Sequence, residues 1–371
     1  MMWQELFKGF FSIYLIFFVS FAHGSSWAED LLNQMTVTEK IGQLFVIPVC
    51  PLRNDYHVDQ VISLIKEYGI GGVLPKMATY RTQEAMVLKL RSFAKVPFLV
   101  FQDAEWGASM RIIDALPLPK NYELEEITDQ EVFYSLGVQI ANQCKKALVD
   151  VVLAPVVDVI VDNTAPTLKK RCFGEDPEMV ALKGYYVAKG IEDSGLAACG
   201  KHFPGHGEAF IDSHYELPLI PLTMPALNKK ALVPFRKLIQ ENIACIMSAH
   251  LFIPVLSNYP ASLSYSIIQD LLINKMNYKG IIITDALNMK ALMNHFTVSE
   301  ISVMAFKAGN HFLLYGEHIS EKVDELLFQI IPEAMDAIYQ AVLSGEISME
   351  ELDLRVLRIL QFKQKFQIIH S

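Results

Sequence analysis

The sequence predicts an α/β chain folded as a TIM-like (β/α)8 barrel, a single domain with added C-terminal helices, and three observations carry that expectation. Eight apolar, β-branched-rich runs recur along the 371 residues, at 41–49, 72–74, 97–101, 149–155, 195–199, 244–247, 280–284 and 311–314. Stretches with helical spacing separate them, at 58–68, 82–93, 129–145, 177–194, 225–241, 266–276 and 298–308. Ionisable residues follow the ends of several apolar runs. Continuous apolar runs mark strands covered on both faces, and strands joined by crossover helices pair in parallel. Eight such units close a barrel, whose functional residues sit just beyond the strand ends. A doubly wound open sheet is the alternative, weakened because no Gly-x-Gly-x-x-Gly follows the first run.

Ahead of the barrel, Phe10 to Ala22 is an apolar run of about thirteen residues preceded by Lys8, which fits a secretory signal and is short for a membrane span. Residues 1–27 are therefore read as a signal peptide or, if uncleaved, a membrane anchor, and 28–371 as the barrel domain. The expected location is exported, periplasmic or extracellular, with an inner-membrane anchor as a variant and the cytoplasm as the alternative. After the leader, 31–40 reads as one short helix. The tail reads as two amphipathic helices, 332–344 and 349–367, with Ser348 as N-cap of the second.

A net charge of −9 with 20% charged residues speaks against a nucleic-acid partner, which needs clustered Lys and Arg; Lys169-Lys170-Arg171 is too short to serve. The five cysteines are irregularly spaced without a C-x-x-C pair, and read as small buried hydrophobes.

The densest polar stretch is Lys201-His202-Phe203-Pro204-Gly205-His206-Gly207, followed by Asp212-Ser213-His214. Pro204, Gly205 and Gly207 oppose a helix, so the stretch reads as a loop delivered by the run at 195–199. Asp103, Glu105 and Arg111 follow the third run, Asp158 and Arg171 the fourth, His250 the sixth and Asp285 the seventh. Taken alone, Asp103 and Asp158 also fit helix caps, Arg171 a surface pair with Glu175 or Asp176, and His250 a hydrogen-bonded core histidine. A metal reading of His202, His206, Asp212 and His214 fails the usual helical histidine spacing, and neither a metal nor another cofactor is expected.

These motifs together resemble glycoside hydrolase family 3, in its branch of bacterial β-N-acetylglucosaminidases. The resemblance runs through Lys201 to Gly207 with Asp212-Ser213-His214, Asp103-x-Glu105-x-Gly107 with Arg111, Leu153 to Asp158, Arg171-x-Phe173-Gly174-Glu175-Asp176 and Ile283 to Met289, spanning roughly residues 35–316. It implies a (β/α)8-like barrel, with Asp285 as nucleophile, His214 as general acid/base and Asp212 as its partner. It also implies that Asp103, Arg111, Arg171, Lys201 and His202 surround the sugar. Two departures stand out: Lys170 replaces the family's usual Asn, and Ala104-Glu105-Trp106-Gly107 replaces Gln-Glu-Gly-Gly.

The implied activity is retaining exo-hydrolysis of terminal β-linked N-acetylglucosamine from cell-wall muropeptides or chitooligosaccharides, as in peptidoglycan turnover. A carboxylate at a rigid strand end suits nucleophilic attack, and a histidine near its ordinary pKa can give and retake one proton. Phosphorolysis or β-glucosidase activity is the alternative within the family, and an inactive cell-wall binding protein is the alternative of another class. The expected partner is a small glycan, the expected state a monomer, with membrane attachment only through the N-terminal segment.

Overall fold

The computed structural model describes residues 26–162, 164–211, 213, 215–316 and 323–367. Of the leader read over 1–27, residues 1–25 lie outside the described residues, and Ser26 and Trp27 open the first helix. Every predicted apolar run overlaps a strand: β1 (Phe45–Val49), β2 (Gly72–Pro75), β3 (Leu99–Gln102), β4 (Val151–Val152), β5 (Ala197–Phe203), β6 (Cys245–Ser248), β7 (Ile281–Thr284) and β8 (Leu313–Leu314). All neighbours pair in parallel, in the order β7-β6-β5-β4-β3-β2-β1-β8. A parallel bridge between Ile283 and Phe312 joins the two ends, with Thr284 N donating to Phe312 O at 3.0 Å, so the sheet closes into a barrel. The open-sheet alternative is thereby excluded.

Side chains fill the interior. Phe101 and Phe312 meet edge to face with ring centroids 5.2 Å apart. Gly72 makes room for them, since a Cβ there would lie 2.5 Å from the Phe101 ring. Each such aromatic ring, removed from water, contributes roughly 1.5–3 kcal/mol.

The crossover helices start where the sequence offers caps. Asn54, Thr79, Asp129, Asp176 and Thr297 each accept a main-chain N–H at the head of Asp55–Tyr68, Tyr80–Arg91, Gln130–Lys146, Pro177–Asp193 and Val298–Ala308. In the tail, Ser348 forms the expected cap of Met349–Lys365, reciprocated by Glu351. Lys363 pins that helix beneath the barrel, its buried ammonium donating to Gln43 Oε1 at 2.5 Å and Pro97 O at 2.6 Å. All five cysteines are buried, as small core residues should be.

Three local expectations are corrected. The single helix at 31–40 is two, Trp27–Gln34 and Val37–Gly42, because Ser26–Glu29 and Thr36–Glu39 each form a capping box that starts its own helix. The helix at 225–241 is likewise two, Met224–Lys229 and Leu232–Gln240, and Pro234 falls in the first turn of the second, where its missing N–H is harmless. Third, Lys201, His202 and Phe203 belong to β5 rather than to a loop. The neighbouring chains keep bonding beyond Gly200: Lys201 N donates to Pro155 O, Val157 N to Lys201 O and Ala249 N to Phe203 O, at 2.8–3.0 Å. The loop begins at Pro204, which cannot donate to the ladder.

Candidate active site

The C-terminal ends of the strands open on a cleft of ≈ 410 Å³ lined by Asp103, Arg111, Arg171, Lys201, His202 and Asp285, all six of them expected from the sequence. Asp212 and His214, the other two expected residues, lie outside the described residues; Ser213 between them lines the same cleft.

Four strands deliver these side chains, β3, β4, β5 and β7. Asp103 and Glu105 leave the end of β3, and a short turn, Ala108–Met110, returns Arg111 to them. Arg111 Nη2 donates to Asp103 Oδ2 at 2.7 Å, and Lys201 Nζ from β5 reaches Asp103 Oδ1 at 3.1 Å. Lys201 also lies 2.8 Å from Glu105 Oε1. Arg171, after the short helix Pro166–Lys169, grips Glu105 through Nε at 2.9 Å and Nη2 at 2.8 Å. The surface pairing of Arg171 with Glu175 or Asp176 is not what forms: Glu175 is exposed and Asp176 caps Pro177–Asp193.

Three cations thus face two carboxylates, with Lys201 and Glu105 the most deeply buried of the five. Burial, the largest single influence on Glu105, disfavours its carboxylate, yet the Arg171 and Lys201 charges outweigh it and hold its pKa at about 2. Burial likewise opposes the Lys201 ammonium, but Glu105 and Asp103 raise its pKa above the ordinary value. The group stays ionised and mutually fixed, a rigid hydrogen-bonding wall for a polyhydroxylated ligand.

Behind it sits Asp158, fully buried. Burial would raise its pKa, but His202 and His206 prevail and keep it low. Its Oδ2 lies 2.7 Å from His202 Nδ1, and its Oδ1 accepts the main-chain N–H of His206 at 2.6 Å. Asp158 is therefore no helix cap; it orients His202, whose Nε2 lies 3.2 Å from Arg171 Nη2. Burial pushes the His206 pKa down to about 4, against the pull of Asp158, so this imidazole is neutral near pH 7.

Asp285 is the first residue beyond β7. Its N–H donates to Ser248 O at 2.8 Å, and its Oδ1 accepts Ala286 N at 2.8 Å. The turn is braced by His250, which is fully buried and shares short contacts with Ala286 O, 2.9 Å from Nε2, and Ser262 Oγ, 2.7 Å from Nδ1. A carbonyl can only accept, so Nε2 carries the proton and Nδ1 accepts from the hydroxyl. His250 is thus the core histidine its bland reading suggests, and it supports the Asp285 turn. The roles of Glu105, Asp158 and His206 went unassigned from sequence, although each stands in a motif or at a strand end that drew notice.

The chain matches the Glycosyl hydrolase family 3 N terminal domain over residues 36–362. It belongs to glycoside hydrolase family 3. The matched span reaches beyond the motif resemblance, takes in Ile331–Leu343 and most of Met349–Lys365, and ends one residue before Lys363. Among curated relatives, a Beta-hexosaminidase of Nitrosomonas eutropha is 30% identical over 268 residues, covering 70% of this chain and 76% of its own length. A Beta-N-acetylglucosaminidase/beta-glucosidase of Cellulomonas fimi is 25% identical over 351 residues, covering 92% of this chain and 59% of its own length. Among solved structures, a glycoside hydrolase family 3 beta-N-acetylglucosaminidase from Paenibacillus sp. superposes with a TM-score of 0.83 at 30% identity, covering 90% of this chain. The chain spans 63% of that structure and 59% of the Cellulomonas relative.

Proposed function

We propose that this family 3 domain is a retaining exo-β-N-acetylglucosaminidase acting on terminal β-linked N-acetylglucosamine of cell-wall fragments or chitooligosaccharides. The observation that carries the proposal is the placement of Asp285, at the braced end of β7, in one cleft with the Asp103–Arg111–Lys201–Glu105–Arg171–His202 wall. The names of the Nitrosomonas and Paenibacillus proteins support the acetamido sugar.

In this reading the ionic wall binds the hydroxyls of the terminal sugar. An Asp285 carboxylate oxygen attacks the anomeric carbon as the glycosidic C–O bond breaks, and His214 gives its proton to the departing oxygen. Water then attacks the same carbon, His214 takes up a water proton, and Asp285 is released. Asp212 orients the imidazole and stabilises its protonated form. The apolar run at 10–22 supports a location outside the cytoplasm as part of this reading, which cell fractionation tests directly.

The Cellulomonas name, carrying both activities, favours β-glucosidase as a second reading. Rates on 4-nitrophenyl β-N-acetylglucosaminide and β-glucoside, each with and without phosphate, separate the readings: a higher kcat/KM for the acetamido sugar with no glycosyl phosphate is expected. Equal rates on both sugars would favour the second reading, and glycosyl phosphate would move the assignment to phosphorolysis. A covalent sugar adduct on Asp285, seen by mass spectrometry, rules out a silent binding protein.

A further inference from the structure

We infer that His206 is a positioning residue for the loop that carries Asp212 and His214, acting through a hydrogen bond to Ser213; this rests on the reading of His214 as the acid/base. Among the described residues near this loop, Phe210 is 51% exposed, Ile211 46% and Tyr215 68%. Ser213 is the exception. It is 4% exposed, and its Oγ lies 3.2 Å from Nε2 of His206, itself 7% exposed. One inward hydroxyl in an exposed segment is an anchor point, and the group it meets decides where the flanking residues stand.

His206 is itself held firmly. Its main-chain N–H donates to Asp158 Oδ1 at 2.6 Å, and its ring meets the His202 ring edge-on, centroids 5.7 Å apart. Asp158 holds His202 through its other oxygen, so one buried carboxylate fixes both the sugar-facing histidine and the anchor of the loop. The chain carrying His206 is fastened from a second side. Thr164 Oγ1 donates to Gly207 O, Ala165 N donates to Ala209 O at 3.1 Å, and a Cβ on Gly207 would sit 1.8 Å from Val159 O. Everything up to Ala209 is clamped, and the next inward tie among the described residues is His206 to Ser213. The neutral imidazole makes that tie without burying a second charge. Its Nδ1 is buried and has no partner among the described residues, which leaves one polar atom of the anchor available beside the loop or a ligand.

A general acid must stand within hydrogen-bond reach of the leaving oxygen, and a displacement of about 1 Å costs on the order of 100-fold. Loosening Ser213 should therefore cost most where the leaving group needs its proton. The test uses the full chain with His206→Ala, His206→Asn, Ser213→Ala and the double alanine variant. Substrates are N,N′-diacetylchitobiose, a poor leaving group, and 2,4-dinitrophenyl β-N-acetylglucosaminide, a good one.

Expected is a loss in kcat/KM of about 30-fold or more on the disaccharide but within about threefold on the dinitrophenyl glycoside. The double variant should be no worse than the worse single one, because both remove the same tie. Ser213→Ala, which deletes one hydroxyl, carries the test should His206→Ala fail to fold. Equal losses on both substrates, no loss on either, or fully additive effects would overturn the inference. His214→Ala run alongside separates the two levels: selective loss there with none in the His206 and Ser213 variants sinks only the positioning role. Uniform loss in His214→Ala overturns the acid assignment and the inference with it.

Discussion

Glu105 is the residue through which Arg171 is fixed in the cleft, by two charge-assisted bonds of 2.9 and 2.8 Å, while Lys201 closes on the same carboxylate at 2.8 Å. Such a buried cluster is held by complementarity, so removing one partner strands the others. Glu105→Gln leaves Arg171 without its paired carboxylate and Lys201 with Asp103 alone, a change that costs about 3–5 kcal/mol when no relaxation compensates.

The same pair makes a pH prediction. The folded-state pKa of Glu105, about 2, lies below its ordinary 4.5, so its stabilisation is complete above pH 4.5 and is lost as the pH falls toward 2. The difference amounts to something on the order of 3 kcal/mol. Thermal melts of the wild type and Glu105→Gln should differ most near neutral pH and converge only toward about pH 2. A gap that persists unchanged into acid would mean that the carboxylate is not what the cations require.

Trp106 lines the cleft one residue beyond Glu105, with the Lys120 ammonium 5.5 Å from its ring, at a position where the family resemblance leads one to expect glycine. An aromatic ring at the rim adds contact area for the group beyond the terminal sugar. Trp106→Gly should lower kcat/KM on chitobiose by about tenfold, or 1.4 kcal/mol, while leaving the methyl glycoside nearly unaffected. Equal sensitivity of both substrates would place Trp106 in the support of the ionic wall instead.

At the other end of the barrel, burial depresses the Lys363 pKa to about 7, opposed only in part by Asp150. A depressed lysine makes the unfolded chain the better proton binder between pH 7 and its ordinary 10.5, so this group destabilises the fold most below pH 7 and progressively less above it. Lys363→Met removes that dependence. Relative to the variant, the wild type should gain stability from about pH 7 to 9.5, at no more than about 1.4 kcal/mol per pH unit. A constant difference in melting temperature across that range would show that Lys363 keeps its proton in the fold.

The barrel was legible because the signal was redundant: a continuous apolar run such as Ile281–Thr284 and a following Asp285 point to the same strand end by independent routes. Where one signal spoke alone, the reading slipped. Apolar periodicity carried 31–40 as one helix, but the Thr36–Glu39 capping box restarts the chain there. Pro204, Gly205 and Gly207 oppose a helix and make the whole stretch read as a loop, yet they say nothing of Lys201–Phe203, whose strand state depends on main-chain partners in Pro155, Val157 and Ala249. Glu105 and Asp158 could be noticed but not given roles, since their roles are set by Arg171, Lys201, His202 and His206, tens of residues away in sequence. His250 reads in sequence as one more strand-end histidine; only its bonds to Ser262 and Ala286 show it as a brace.

The proposed acid makes the last prediction. If His214 protonates the leaving oxygen, its removal slows glycosides with poor leaving groups far more than activated aryl glycosides, whose departure needs little protonation, and general acid catalysis contributes about 10²–10⁴-fold. His214→Ala should therefore retain part of its rate on the 4-nitrophenyl substrate and lose nearly all on chitobiose. The basic limb of the kcat/KM profile for glycosylation, which reports loss of the acid's proton, should vanish in this variant. Asp212→Asn should behave as a weaker version, since the imidazole remains but its protonated form is less stabilised. That shifts the basic limb to lower pH rather than abolishing it. An unchanged pH profile with equal losses on both substrates would make His214 a binding residue. The acid would then have to be sought among the other ionisable groups near the cleft, and Glu105, locked as a carboxylate between Arg171 and Lys201, is the poorest proton donor of them.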